Sequence, residues 1–328
     1  MDEMGLPDVT QVLRMTDDNA RALMMAQMWC ETSDDARWRA LRDRYLQFLL
    51  YAEQDGWFRN FMGFDRRFLE ARGSEDCFGR CVWSLGFLVS RPQVPEGMRQ
   101  TAEDLLRRVL PGCAQLHFLR ARAYALTGLC LWNGEEGRAF IRQFAAEMAD
   151  AYSHTTDSRW HWFEDEITYG NAALPRALLL AFEKTGEPRY RQIGLESLDF
   201  LLEQTFEGEV FHPVGCKGWL HRGGKPAAFD QQPLEAAGTL LACLDAIRLT
   251  GDAAYRRRAR ACRLWFTGRN SGRVSLIDPE TGGCVDGLLP HGRLNHNQGA
   301  ESQVAWMTAA LAWRMEEPPR ARGGSENT

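Results

Sequence analysis

The sequence predicts an all-α protein, an (α/α)6 toroid of helical hairpins whose active-site loops gather at the N-termini of the inner helices. Three observations lead there. Apolar residues recur with a period near 3.6 through most of the 328 residues, and strand-like alternation is almost absent. The helical segments come in two alternating kinds. A turn of similar composition recurs between them.

The periodic segments are 19–31, 38–53, 77–90, 98–110, 116–131, 135–152, 172–184, 190–204, 233–249, 253–267 and 298–314, roughly eleven helices. Segments such as GRCVWSLGFL, ALLLAF, EAAGTLLACL and SQVAWMTAALAW are apolar nearly all round and rich in Ala and Gly, as helices packed on several sides must be. YRQIGLESLDFLLEQ and YRRRARACRLWF carry charge on one face and belong at the surface, so the run Arg256, Arg257, Arg258 reads as a solvated face. Residues 32–49, 185–201 and 250–266 share a turn of Thr, Ser or Gly and an acid, followed by two aromatics ten positions apart: Trp38 and Phe48, Tyr190 and Phe200, Tyr255 and Trp265. Each marks an inner helix turning tightly into an outer one, with Gly186 and Gly251 ending the inner helix in two cases.

The long connections, 55–73, 154–170, 205–232 and 268–297, all run from an outer helix to the next inner one. In a closed ring they collect at one end, over the inner N-termini, and long loops on a rigid scaffold are where function sits. The chain divides into an N-terminal segment (1–16), the toroid domain (17–315) and a C-terminal tail (316–328), with residues 8–13 suggested to close the ring in place of a twelfth helix.

A net charge of -5 gives no basic field for nucleic acid or an anionic membrane. Residues 1–13 carry acids where a signal peptide has bases, and no stretch approaches the roughly 20 apolar residues that span a bilayer, so a soluble, cytoplasmic protein is expected. Nine scattered cysteines without a CxxC pair argue against a disulfide framework or structural zinc. Without HExxH, P-loop or GxGxxG, neither a metal nor an organic cofactor is expected.

Four loops repeat one chemistry of carboxylates, amides and large aromatics. The first offers Trp57, Asn60, Asp65, Arg66, Glu75 and Arg80 for binding and Asp76 for catalysis. The second offers Trp160, Tyr169 and Asn171 with Glu164 and Asp165, and the third His212, Gln231 and Gln232 with Asp230. The fourth offers Asp286, Asn295, Asn297 and Glu301. Sugars suit this mixture: aromatic faces stack on the C–H face of a pyranose, while amides and carboxylates hydrogen-bond its hydroxyls. Glycosidic cleavage needs two carboxyl groups besides, and Asp76, Glu164, Asp165 and Asp230 are the candidates. Structural roles compete for some of these positions. Ser74 is a natural N-cap with Glu75 in the first turn, Gln232 and Pro233 start a helix with Glu235 in its first turn, and Asn297 suits an N-cap. His117 and His154 read as structural.

The strings NFMGFDRRF, GSEDCFGR, WFEDEITYGNAALPRALL, FDQQPLEA, GGCVDGL and NHNQGAES resemble α/α-toroid proteins and domains encoded with, or fused to, bacterial glycosyltransferases and glycan phosphorylases, over about residues 36–315. The layout is more distantly similar to six-hairpin glycosidases, unsaturated glucuronyl hydrolases and N-acylglucosamine 2-epimerases. The resemblance implies a carbohydrate context and such a glycosyltransferase or phosphorylase as partner. The leading expectation is a glycoside hydrolase acting on an oligosaccharide. Its rivals are a non-catalytic glycan-binding domain serving a glycosyltransferase, and a sugar epimerase or isomerase, for which His212, His291 or His296 would have to supply the histidine pair.

Overall fold

The computed structural model describes residues 12–316. Eleven helices follow in order: α1 (Thr16–Thr32), α2 (Ala36–Ala52), α3 (Glu75–Ser90), α4 (Glu96–Val109), α5 (Leu119–Trp132), α6 (Arg138–Thr155), α7 (Ala173–Thr185), α8 (Pro188–Thr205), α9 (Pro233–Thr250), α10 (Ala253–Trp265) and α11 (Ala300–Glu316). The odd-numbered helices pack side by side in sequence, and α11 packs back on α1, closing the inner ring of the toroid. Each even-numbered helix lies outside, against the inner helix before it. Inner helices are buried nearly all round and outer ones on a single stripe, as their compositions predict.

The tight hairpins form where the recurring turns lie. Gly186 and Gly251 end α7 and α9 in the left-handed conformation, with φ of 72° and 71°. Asp35, Glu187 and Asp252 cap the N-termini of α2, α8 and α10 with their side chains. At the opposite end, the outer-to-inner connections carry short antiparallel pairs: β1 (Val12–Met15) pairs with a later segment of the first loop, Phe61–Gly63. The suggestion that residues 8–13 complete the ring lies outside the described residues up to residue 11; Val12 and Leu13 belong to β1, at the rim. Residues 317–328 also lie outside the described part. No described helix is long and apolar enough to cross a membrane. The cysteines are free thiols, and all but Cys30 and Cys216 are buried.

Two packing features position the rim. Helices α3 and α5 touch backbone to backbone: a Cβ on Gly86 would lie 2.0 Å from the Gly128 carbonyl oxygen, and one on Gly128 would lie 2.3 Å from that of Val82. Only glycine permits this approach, and toward the rim it continues at Gly79, whose Cβ would lie 2.4 Å from the Ala121 carbonyl oxygen in the first turn of α5. Below the rim, a column of stacked groups borders a cavity lined by residues of all six inner helices. Arg80 lies over the Tyr124 ring at 5.1 Å, Tyr124 stacks on Trp83 at 5.8 Å, and Arg176 lies over Trp83 at 5.1 Å. Arg176 is anchored by Asp245 at 2.6 Å.

Candidate active site

Above that column, over the inner N-termini, opens a cleft of about 1030 Å³. Its floor is formed by Asp17, Arg80 and Glu301, part of an ion-pair cluster from the first two turns of α1, α3 and α11. Arg80 Nη1 donates to Asp17 at 2.5 Å, and Arg21 donates to Asp18 at 2.5 Å and Glu301 at 2.8 Å. Burial pushes the Asp17 carboxyl up, but the Arg21 and Arg80 guanidiniums outweigh it and hold it below the usual carboxylate range. Asp18 goes the other way: burial pushes it up to about 6 despite Arg21, with Asp17 and Glu301 adding their repulsion.

One wall is a connected network. Asp76, in the first turn of α3, accepts from the Tyr169 hydroxyl at 2.9 Å. Arg120, in the first turn of α5, donates to the Tyr169 carbonyl at 2.6 Å, to Glu164 at 2.8 Å and to the Thr168 hydroxyl at 2.7 Å. Burial and the neighbouring Asp76 charge push the Tyr169 phenol up, so it stays a donor. The turn presenting Tyr169 is held from beneath by Glu235, which accepts from the Gly170 N–H at 2.5 Å and the Asn171 amide at 2.9 Å. Burial raises the Glu235 carboxyl against the pull of those bonds. Asn171 is thus a buried brace rather than a cleft residue.

The α4–α5 connection supplies the cleft mouth. Glu75 accepts from the backbone N–H groups of His117 and Phe118 at 2.6 and 3.0 Å, and its other oxygen lies 3.1 Å from His117 Nδ1. Burial raises Glu75, but these bonds outweigh it and hold its carboxyl below the usual range. Phe118 is 69% exposed. His117 and Phe118 line the cleft, as do Arg120 and Trp219.

Of the residues singled out in the sequence, the cleft brings together Asp76, Glu164, Glu75, Arg80, Tyr169, Gln232, Glu301 and Trp57. Trp57 is a wall with no free face: Phe78 stacks on it at 4.2 Å and Arg72 at 3.6 Å. The others lie elsewhere. Asp165 is turned outward to Arg222 at 3.0 Å, where the chain bends before the strand that starts at Glu166. Asp230 pairs with Lys217 at 3.1 Å. Asp65 and Arg66 form an exposed turn, and Asn60 is buried, accepting from the Asp17 N–H at 3.1 Å. Trp160 is buried with its indole N–H on the Glu164 carbonyl. Gln231 is buried between Trp265 and Ser271, and His212 lies near Glu207, its imidazole pushed down by burial. Asp286 receives the Gly299 N–H at 2.8 Å, the Ser302 hydroxyl at 2.6 Å and the Asn297 amide, so Asn297 steadies a loop and α11 starts later, at Ala300. Asn295 supports Asn297 at 3.3 Å. Among the described residues, no group of three or more His, Cys, Asp or Glu side chains is placed to hold a metal ion.

No known family model matches the sequence, and no curated protein matches it. Solved structures do. A D-mannose isomerase superposes with a TM-score of 0.71 at 11% identity, covering 92% of this chain and 86% of that one. Cellobiose 2-epimerase from Spirochaeta thermophila gives 0.65 at 13%, over 94% and 87%. The GH76 α-mannanase of Bacteroides thetaiotaomicron gives 0.60 at 10%, over 93% and 88%. The chain therefore has the six-hairpin (α/α)6 fold. The neighbours are carbohydrate-active enzymes of two kinds, isomerases or epimerases and glycoside hydrolases.

Proposed function

We propose that the chain is a glycoside hydrolase acting on an oligosaccharide, with Asp76 and Glu164 as its carboxyl pair. What supports the reading is that these carboxylates, carried by α3 and by the loop before α7, line one open cleft and are linked through Tyr169 and Arg120. Glycosidic cleavage needs one carboxyl group bearing a proton for the leaving oxygen and one ionised to activate water or attack the anomeric carbon. Glu164, ion-paired with Arg120, fits the ionised member. Asp76, which accepts from the Tyr169 hydroxyl in the same cleft, is the other member of the pair. Phe118 and Trp219 offer ring faces for stacking, and Arg80 and Gln232 offer polar contacts to hydroxyls.

The test screens wild type, Asp76→Asn and Glu164→Gln against oligosaccharides for thermal stabilisation and released reducing ends. The reading requires one ligand to stabilise all three proteins while turnover falls about 10²–10⁴-fold in each variant. Stabilisation without turnover in wild type replaces it with a glycan-binding domain serving a glycosyltransferase.

One observation favours a second reading, epimerisation or isomerisation: His117 stands in the cleft with Nδ1 toward Glu75 and no partner on Nε2 among the described residues. Deuterium entering C2 of a reducing sugar in D2O with wild type, and not with His117→Gln, would displace the hydrolase reading.

A further inference from the structure

The arginine run of α10 is not uniformly solvated. Arg256 and Arg263 lean on the Trp313 ring of α11, at 5.4 and 5.8 Å. Arg257, Arg258 and Arg260 turn instead into a groove of about 260 Å³ between α10 and the hairpin that follows α8, Phe206–Glu207 with Val210–Phe211. Arg269, from the loop after α10, joins them there. The floor is apolar, made by Phe206, Ala254, Ala261 and Leu264.

Arg258 is fixed in place: it donates to the Gly208 carbonyl at 2.8 Å and lies over the Phe206 ring at 4.3 Å. None of the four arginines has an ion-pair partner among the described residues, and Glu209 is the one carboxylate lining the groove. A concave, uncompensated guanidinium cluster of this kind suits phosphate, whose oxygens accept paired N–H bonds from the planar fork. The chain as a whole carries a net charge of -5, so no chain-wide basic field extends the groove, which suits a small anion better than a long one.

We propose that this groove binds a small phosphate ester, the phosphate held by Arg257, Arg258, Arg260 and Arg269 and the organic ring resting on the apolar floor. The site is separate from the cleft and does not depend on what the cleft does.

The experiment is calorimetric titration at low salt with glucose 1-phosphate, uridine diphosphate and inorganic phosphate. The proteins are wild type, Arg257→Gln/Arg260→Gln, and Arg66→Gln/Arg67→Gln as a control for exposed arginines elsewhere. All positions are on the surface, and matching thermal melts establish that the variants fold. Saturable binding of at least one ester is expected, weakened about tenfold or more by the groove substitutions and also by raised salt. The control variant should bind as wild type does. An ester should bind more tightly than inorganic phosphate; equal affinity would overturn the role of the apolar floor. No saturable binding, or equal losses in both double variants, would overturn the site.

Discussion

The loop before α7 and the loop before α11 are built from the same residue types and reach opposite ends. In the fourth loop the polar groups satisfy one another. Asp286 is occupied by Asn297, Gly299 and Ser302, and Gln298 bridges Asp278 and Thr281. In the second loop the bracing is done by others, namely Glu235 from α9 and Arg120 from α5. That leaves Glu164 and Tyr169 facing open space. A carboxylate over a helix N-terminus is by default a cap; what marks a site is a carboxylate whose neighbours have been secured by other means.

The sharpest way to break this contrast is to compare Asp286→Asn with Asp76→Asn. Turnover should fall about 10²–10⁴-fold in Asp76→Asn with little change in melting temperature. Asp286→Asn should leave turnover within a few-fold and cost about 1–3 kcal/mol in a denaturant titration, through unsatisfied donors at the start of α11. The reverse pattern would sink the distinction between the two loops.

Gly128→Ala tests whether helix contact beneath the second loop's partners sets the cleft. Pushing α5 from α3 should cost about 1–3 kcal/mol and also lower turnover, since Arg120 and Asp76 ride on those helices. Stability loss with unchanged turnover would show that the first turns adjust independently.

A smaller effect concerns the floor between the two loops. Because the Asp18 carboxyl is raised in the folded chain, its protonated form is the one folding favours, and that contribution is lost as pH rises through about 6. Asp18→Asn should therefore stabilise the protein by about 1–3 kcal/mol at pH 7, with the gain fading toward pH 4, as followed by melting curves across pH. Asp17, held low by its arginines, should show the opposite sign on the same substitution. The smallest effect is expected for Phe118→Ala: a few-fold rise in KM, kcat unchanged and the melt unmoved, because the ring is exposed.

The ring was legible because its physics is periodic. An all-round apolar helix such as α9 and a one-faced helix such as α10 differ in composition, and Gly186 and Gly251 mark where one becomes the other. The cleft was half legible. Loop polarity pointed to the end of the ring where the cleft opens, and Asp76 and Glu164 are among the residues lining it. It could not separate Glu164 from Asp165, since neighbours in a loop differ only in direction. It also read His117 as structural and passed over Phe118 and Arg120, because they come from the short connection before α5, where loop length gives no signal. Two arginines, Arg120 and Arg122, in the opening LRARAYAL of an otherwise apolar helix were the available clue, since a cation there needs a partner.

Arg80 lines the cleft, and Tyr124, Trp83 and Arg176, stacked in turn behind it, line the cavity enclosed by the six inner helices. On the glycosidase reading, a glycan that enters the cleft meets the floor of Asp17, Arg80 and Glu301, so it lowers one end inside or lies across the opening, and the depth of that floor limits how many sugar units the cleft can hold at once.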